Sequence, residues 1–511
     1  MSKPSHRPNR EQRKYTVEGV KKTRAEFRAS RQSTGLIPPK HTTIPNSKSP
    51  YQTVEDEQQA REESVRAQLG VYRSILPKLL KQLSKISDPR NPKKVKHQFR
   101  VVMLFGLLSA LFQMSSRREA NRRLSMASFF ETLHAFFPEL ESCPHADTLN
   151  RLLSTIEVES IQNAHLDFLN HFMRKKKFRN FLVNKHYLVA IDGTQKLSRD
   201  GAIWGEEWLR RHHQTKEGEK IEEYVYVLEA NMVFNNGMSV PLLTEFLSMS
   251  EGDPSDQKQD CELRAFYRLT SRLKERFPKL RIALLLDGLY PNGPLIHLCQ
   301  QYHWDFMIVH PDKCLPTAWR EYESLRQMSP ENDATQSFKG RTQNFCWVNG
   351  IDYQFKDKHN KQHSLLLNMV VCHERWEEID PQSGKIVQKR SKHAWLSSKE
   401  ITRSNFHCRC NLMGRRRWAI ETSMLVEKKQ GYCYEHLLSQ NFQAMKGFHY
   451  LMRIAHAINE IARFTKEVAK KVSIMGLNAF FIFVKETCAN RWLSPDWIEA
   501  FLEIPFRIAW K

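Results

Sequence analysis

Apolar residues recur at helical spacing over the first third of the chain. A three- and four-residue periodicity precedes the helix-breaking segment Asp88-Pro-Arg-Asn-Pro92, with Leu79, Leu80, Leu83 and Ile86 in register. This periodicity predicts a helix from about Val54. Further helices are predicted over residues 99–114 and from Asp147 onward.

Two short apolar runs further along the chain end on an Asp-Gly pair. Residues 187–191 lead into Asp192-Gly193, and residues 282–286 lead into Asp287-Gly288, 95 positions later. Each run predicts a buried strand that stops at a turn. The carboxyl ends of neighbouring strands in an open α/β sheet meet at one crevice, where paired carboxylates can hold divalent metal ions. The alternative is that each Asp-Gly pair only terminates its strand.

A hairpin and a helix are predicted between the two Asp-Gly pairs. Strand-like runs at residues 224–234 and 238–247 are joined by Asn235-Asn236-Gly237, a strong hairpin signal. An amphipathic helix capped by Ser255-Asp256 follows, and residues 304–309 predict one more strand. The order β-β-β-α-β-α-β is that of a ribonuclease H-like core, in which the strands leading to Asp192 and Asp287 are neighbours.

Residues 311–404 change to an alternating pattern. The dipeptide Asn349-Gly350, a hairpin signal, is flanked by runs in which apolar and polar residues alternate. This pattern predicts an antiparallel β insertion.

A helix without Gly or Pro is predicted after the insertion, over residues 415–428. At about 100° per residue, Arg417 and Lys428 share a face with Glu421, whereas Glu427 falls about 240° away. Glu421 is therefore the predicted third carboxylate, and Glu427→Gln is expected to be mild. Arg417 and Lys428 are predicted to reach phosphates rather than merely pair with Glu421. The alternative is a salt-bridged, exposed helix.

The charge of the chain indicates a class of partner. The 511 residues carry 79 Lys and Arg against 56 Asp and Glu, a formal net charge of +23, which favours a polyanion such as nucleic acid. Residues 1–50 hold 12 Lys and Arg against 3 Glu and predict a disordered basic arm that binds phosphates, or alternatively a solvated tail. Basic clusters at residues 117–123 and 174–179 predict that the helical region docks on DNA; the alternative is solvated helix faces.

Several classes of protein do not fit this sequence. The apolar block at residues 99–112 is too short to span a bilayer, and the polar N-terminus lacks the apolar stretch of a signal peptide. Ten cysteines without a framework spacing fit a reducing compartment. A cytoplasmic location without a membrane partner is therefore expected. The chain has no Gly-x4-Gly-Lys-Ser/Thr motif, which argues against an ATP-driven motor.

The three acids carry a resemblance to a known family. Asp192, Asp287 and Glu421 match the acidic positions of DDE-type insertion-sequence transposases, in the branch with a Tyr-x2-Arg-x3-Glu-x6-Lys signature. Arg417-x3-Glu421-x6-Lys428 has the spacing of that signature. The family also carries a β insertion between the second Asp and the Glu.

The resemblance covers roughly residues 75–464 and has one departure. Gly414 stands at the Tyr position of the signature, which removes any phosphate contact from a tyrosine there. The similarity extends to the segments Lys258-Gln-Asp-Cys-Glu262 and Gly431-Tyr-Cys-Tyr-Glu-His436.

The resemblance implies a DNA transposase that cleaves DNA strands at transposon ends and joins the freed 3′ ends to target DNA. Asp192, Asp287 and Glu421 would be its catalytic residues and the ligands of two Mg²⁺ or Mn²⁺ ions, while Arg417 and Lys428 would bind DNA phosphate. The expected partner is double-stranded DNA, bound by a homodimer in a bacterial nucleoid. Two rivals stay open: a metal-dependent nuclease on the same fold, and a transposase-derived DNA-binding protein without catalysis.

The expected fold class is α/β, a ribonuclease H-like catalytic core with an antiparallel β insertion, preceded by an all-helical N-terminal domain. The expected domains are a basic arm (1–53), the helical, DNA-binding domain (54–184), the first part of the core (185–310), the insertion (311–404), the second part of the core with the Glu421 helix (405–470) and a C-terminal helical segment (471–511).

Overall fold

The structure, a computed structural model, describes residues 51–201, 207–215, 218–248, 261–357, 359–380 and 384–511, with a few single residues between 19 and 29. It contains two compact units. One includes Thr43–Leu285 and Arg415–Lys511, and the other includes Leu286–Gly414. Most of the predicted basic arm and the Ser255-Asp256 cap lie outside the described residues; the residues of the arm that are described between 19 and 29 are helical. The domain boundaries expected from the sequence stay predictions.

Between residues 51 and 184, six α-helices precede the first strand, and the three helices that the periodicity predicted are among them. The first is capped at Thr53, whose hydroxyl accepts from Asp56 N at 3.1 Å while the Asp56 carboxylate accepts from Thr53 N at 3.2 Å, a reciprocal cap. It ends at Leu83, ahead of the predicted breaker. The helices are α1 (Val54–Leu83), α2 (Phe99–Leu111), α3 (Arg117–Leu124), α4 (Ala127–Phe136), α5 (Ala146–Leu153) and α6 (Glu159–Arg174).

A mixed sheet in the same unit contains β1 (Tyr187–Asp200), β3 (Gly218–Val233), β4 (Ser239–Phe246) and β5 (Ile282–Leu286), in the order β4-β3-β1-β5, and β2 (Leu209–Thr215) also pairs with β3. Strands β1 and β5 are parallel from Tyr187 and Ile282 to Ala190 and Leu285. The other pairs are antiparallel.

The expectation that the first strand stops at Asp192 is wrong. Strand β1 continues to Asp200 because residues 192–200 stay paired with β3, from Asp192 opposite Glu229 to Asp200 opposite Glu222. The apolar run of β1 ends close to where its pairing with β5 ends. Backbone pairing with β3 does not depend on apolar side chains, so the strand continues beyond the apolar run. The second pair, Asp287-Gly288, does follow the end of its strand.

The hairpin and the helix predicted after Asp192 are confirmed. Strands β3 and β4 are joined at Asn235-Asn236-Gly237, where Gly237 adopts a φ of +92°. Helix α7 (Glu262–Arg276) then precedes β5. The described residues therefore contain a β meander, a helix and a strand parallel to the first.

The second unit contains an antiparallel sheet of order β6-β10-β9-β8-β7, in which β7 to β10 are the antiparallel strands predicted within residues 311–404. Its strands are β6 (Asp305–Val309), β7 (Asp333–Phe338), β8 (Arg341–Lys356), β9 (Gln362–Ile379) and β10 (Ile386–Ser397), and its helices are α8 (Gly293–Gln301) and α9 (Pro316–Met328).

The dipeptide Asn349-Gly350 forms a bulge rather than a hairpin turn. Both residues lie inside β8, where the register with β9 shifts between Val348 and Ile351. Gly350 has a φ of +73°, a conformation that serves a bulge as well as a turn.

The first unit is completed by five helices in its described C-terminal part. A short 3₁₀ turn (Gly414–Arg417) leads into the predicted Glu helix. The α-helices are α10 (Trp418–Lys429), α11 (Phe442–Arg463), α12 (Lys466–Met475), α13 (Leu477–Ala489) and α14 (Pro495–Glu503). Helix α11 is buried along most of its length and forms part of the core of this unit.

Within the described ranges, no helix alone has the length and apolar composition of a membrane span; the bent pair Lys466–Met475 and Leu477–Ala489 meets that test only jointly.

A buried ion-pair cluster ties β3 to α10 and α11. Arg453 of α11 donates through Nη1 to Glu427 of α10 at 2.8 Å, and its Nη2 lies 3.1 Å from Glu229 of β3. The same Nη2 donates to Asn231 Oδ1 at 2.6 Å. All four side chains are buried. Glu427 therefore faces the core, and the mild effect expected of Glu427→Gln gives way to an expected loss of stability.

The two carboxylates of the cluster interact electrostatically with two buried cations, Arg453 within the cluster and Lys196 nearby. Lys196 is buried, and burial first of all lowers its pKa to about 8, so it stays mostly protonated at neutral pH. Burial acts to raise the pKa of Glu229, but Arg453 and the other neighbours lower it to about 2. His449 lies 3.1 Å from Glu229, yet burial lowers its pKa to about 4. It is neutral at pH 7, so Arg453 is the permanent counter-ion.

Arg453→Met is expected to lower the free energy of unfolding by about 3 to 5 kcal/mol, because it leaves two buried carboxylates without their permanent counter-ion. Arg463→Met is the matched control on the same helix. Arg463 pairs with Glu460 at 3.2 Å but is about one-third exposed, so its loss should cost less than about 1 kcal/mol. Urea unfolding of both variants measures the difference. Equal costs would show that the cluster does not hold α10 and α11 to the sheet.

Candidate active site

Two of the three predicted acids meet at one cation. Arg417 Nη2 donates to Glu421 Oε1 at 2.6 Å, and Arg417 Nη1 lies 3.5 Å from Asp192 Oδ2. The Arg417 side chain is 7% exposed, against 17% for Asp192 and 38% for Glu421. The carboxylates of β1 and α10 thus converge on a point that is accessible from the Glu421 side.

The sheet register explains why Asp192 faces the Glu helix. Asp192 lies opposite Glu229 in the antiparallel β1–β3 pair, and residues directly opposite each other share a face of the sheet. Asn231, two residues after Glu229, is on that face as well. Its Nδ2 donates to Ser423 Oγ of α10 at 3.0 Å, so α10 covers the face that carries Asp192.

This structure pairs Arg417 with Glu421 and Asp192, and the contact of Arg417 with phosphate stays a prediction. Arg417 is the residue before α10, and its side chain is enclosed between the two acids and Trp418, whose ring centre lies 4.9 Å away. A four-residue spacing on a helix favours this pairing. Arg417 therefore reaches an outside phosphate only when the ion pair opens.

Lys428 lies beside the same strand. Its Nζ donates to Thr194 Oγ1 at 2.9 Å and to Gln195 O at 3.3 Å, and lies 3.4 Å from Glu435. Thr194 is two residues after Asp192, so both point to the same face of β1. Lys428 therefore keeps a positive charge beside the strand that carries Asp192, and its role at phosphate stays a prediction.

Gly193 lies within a strand, where the side chains of Glu262 and Tyr226 pack so close to its backbone that a larger residue would displace them. A Cβ atom at this position would lie 2.3 Å from Glu262 Oε2 and 2.6 Å from Tyr226 Oη, and Tyr226 donates to the same Glu262 oxygen at 2.9 Å. Glu262 thus packs against the residue next to Asp192. Of the predicted segment Lys258-Gln-Asp-Cys-Glu262, residues 258–260 lie outside the described residues.

Lys196 was missed by reasoning from the sequence. It is the extra residue of a bulge, where the β1–β3 register shifts between Gln195 and Leu197, and bulges re-aim side chains. Its Nζ donates to Tyr434 O at 2.6 Å and lies 4.5 Å from the Tyr434 ring centre. Tyr434 belongs to the segment Gly431-Tyr-Cys-Tyr-Glu-His436 that the resemblance singled out.

Asp287 lies in the unit of Leu286–Gly414, directly after β5. Its Oδ1 accepts from Leu289 N at 2.9 Å, which shapes the turn. Gly288 is close-packed as well, since a Cβ atom there would lie 2.4 Å from Pro311 Cγ. The side chain of Asp287 is partly exposed.

Gly414, at the Tyr position of the signature, is confined by its neighbour. A Cβ atom there would lie 3.0 Å from Trp395 Nε1. A tyrosine at this position would require the indole to move, so the departure from the signature matches the local packing.

The donor types fit Mg²⁺ or Mn²⁺, which prefer carboxylate oxygens. Asp192 and Glu421 already face a cation, the Arg417 guanidinium. Over the described ranges, however, no three His, Cys, Asp or Glu side chains are grouped closely enough to hold a metal ion. A divalent ion held by the acids therefore requires Arg417 to move.

Comparison with known proteins adds an independent finding. The family described as DDE_Tnp_1-associated matches residues 80–169, from the end of α1 into α6. A search among curated proteins gave no match. The chain thus carries a region associated with DDE-type transposases, which points to a transposase-related function.

Proposed function

We propose that this protein is a DNA transposase that binds transposon ends, cleaves DNA strands and joins the 3′ ends to target DNA. The observation that carries the proposal is the convergence of Asp192 and Glu421 on one cation, in a chain that matches a transposase-associated family. The net charge of +23 supports double-stranded DNA as the partner. A homodimer on the DNA and a cytoplasmic, nucleoid-associated location belong to the proposal.

Asp287 is the third carboxylate in this proposal. The last registered pair of the parallel strands β1 and β5 is Ala190 with Leu285, and Asp192 and Asp287 each follow that pair by two residues. Residues at equal offsets in neighbouring parallel strands lie at the same level along the sheet, so this register supports Asp287, which follows the end of β5, as the partner of Asp192. The strand order β4-β3-β1-β5, with α7 between β4 and β5, supports a ribonuclease H-like core.

Asp192, Asp287 and Glu421 would hold two Mg²⁺ or Mn²⁺ ions. When bound, such a pair supplies Lewis acidity at the scissile phosphate and activates the attacking water or 3′-hydroxyl. Arg417, released from the two carboxylates, donates to a phosphate oxygen beside them. Lys428, held at Thr194, offsets the negative charge that develops during the displacement.

The position of Arg417 also favours a second candidate, a transposase-derived DNA-binding protein without catalysis. In that case the guanidinium permanently neutralises Asp192 and Glu421, as it does in this structure. Metal binding and strand cleavage separate the two candidates.

Asp192→Asn, Asp287→Asn and Glu421→Gln are each expected to lower strand cleavage by more than about 100-fold, since even loss of a group that only supports a metal ligand costs 10- to 100-fold. DNA binding should change little, because it rests on many phosphate contacts. Asp200→Asn is the matched control on β1; Asp200 is exposed and pairs with Lys220 at 2.6 Å. Single-turnover cleavage and gel-shift binding are measured together. Equal loss of both activities, or normal cleavage by any of the three variants, would contradict the assignment.

Mn²⁺ is expected to raise the melting temperature of Arg417→Ala more than that of the wild type. The variant has lost the counter-ion of two carboxylates, and a bound ion replaces it; binding stabilises the fold by about 2.7 kcal/mol at a ligand concentration 100 times Kd. The double variant Arg417→Ala/Glu421→Gln lacks a ligand and should lose most of this shift. If all three proteins respond alike, the carboxylates do not form the metal site.

A further inference from the structure

A basic groove lies between α1 and α6, near the C-terminal ends of both helices. Its two adjoining hollows, of about 590 and 550 Å³, share Gln82, Asp167, His171 and Lys175. Buried Phe168 and Phe172 contribute an apolar floor. The rim carries seven exposed residues, called here the groove cations: Lys78, Lys81, Lys85, Arg174, Lys175, Lys177 and Arg507.

The groove cations lack acidic partners. Across the described ranges, none of the seven lies within ion-pair distance of a carboxylate; Lys78 Nζ lies 3.1 Å from His171 Nε2. The one acid that lines the groove, Asp167, is paired with Arg276 at 2.6 Å. By contrast, Arg61 on the same helix α1 pairs with Glu57 at 2.6 Å. Seven cations against one acid leave a local charge of +6.

The two helix ends explain how this charge is tolerated. Lys81 stands in the last turn of α1, and Arg174 is the last residue of α6. Helix C-termini favour such cations by about 0.3 to 1 kcal/mol each without consuming their charge in an ion pair. The pKa of His171 is lowered, first by burial and then by Lys78, Lys175 and Arg174, so the positive potential extends into the groove.

We propose that the groove cations bind the phosphate backbone of duplex DNA and form a binding surface separate from the carboxylates. This inference rests on the proposed function for its choice of DNA. The helix rises about 7.5 Å from Lys78 to its end at Leu83, with Lys85 beyond it, which exceeds the backbone rise of about 3.4 Å per nucleotide. A row of this length spans more than one phosphate. The family match at residues 80–169 includes Lys81, Lys85, the lining acid Asp167 and the floor residue Phe168.

The test compares two full-length variants that each lose four positive charges. The groove variant is Lys78→Ala/Lys81→Ala/Arg174→Ala/Lys175→Ala. The control is Lys313→Ala/Lys339→Ala/Lys356→Ala/Lys361→Ala, at exposed lysines of the other unit. Binding to a duplex of arbitrary sequence is measured over a series of salt concentrations. The slope of log K against log salt should fall by up to about 3.6 in the groove variant, at about 0.9 per phosphate contact, and stay near the wild-type value in the control.

Equal slopes in the two variants would overturn the inference, because affinity would then follow total charge and not the groove. A groove variant that keeps its DNA slope but loses binding to duplex RNA or to anionic phospholipid vesicles would overturn it as well. If the combined variant does not fold, Lys81→Gln and Arg174→Gln singly should each lower the slope by about 0.9. Asp192→Asn, measured in parallel, separates the two proposals: wild-type slopes in the groove variant together with cleavage that depends on Asp192 would refute the groove and leave the transposase intact.

Discussion

The position of Arg453 between Glu229 and Glu427 is the constraint on which the candidate site depends. Two carboxylates buried in a core repel each other and lose hydration, so they persist only with a counter-ion held at hydrogen-bond distance. Arg453 supplies that charge from α11 and thereby fixes α10 against β3. Arg453 and its partners lie on three separate elements, α11, α10 and β3, so the cluster specifies the mutual position of these elements as well as their stability.

This anchoring divides α10 into two functional faces. Glu427 is held in the core, whereas Glu421, six residues earlier, faces Asp192 at a point open to solvent. The two acids have the same chemistry, and their environments give them different roles. Arg417 joins Glu421 to Asp192 in the structure. These ion pairs are partly exposed and are therefore far easier to open than the buried ion pairs of Arg453. A divalent ion can therefore displace Arg417 from the two carboxylates, and a phosphate can displace the carboxylates from Arg417.

Local sequence patterns predicted most of the named helices and strands. They also predicted which face of the Glu helix carries Glu421, because the 3.6-residue period alone separates Glu421 from Glu427. They failed where pairing partners are distant in sequence. Strand β1 passes through Asp192 because β3 pairs with it, and Asn349-Gly350 became a bulge because β9 continues alongside. The Asn-Gly dipeptide favours a positive φ, and both a hairpin turn and a β-bulge accept this conformation. Neither the bulge that turns Lys196 inward nor the ion pairs of Arg453 leave a local signal, since their partners come from remote segments.

The most direct measurement is anomalous diffraction from crystals of the full chain grown with Mn²⁺. We expect manganese peaks bounded by carboxylate oxygens of Asp192, Asp287 and Glu421, separated by about 3.5 to 4 Å if two ions bind, with the Arg417 guanidinium withdrawn from Asp192. Manganese bound elsewhere, with Arg417 still joining Asp192 to Glu421, would contradict it. That result would favour a protein that binds DNA without cutting it.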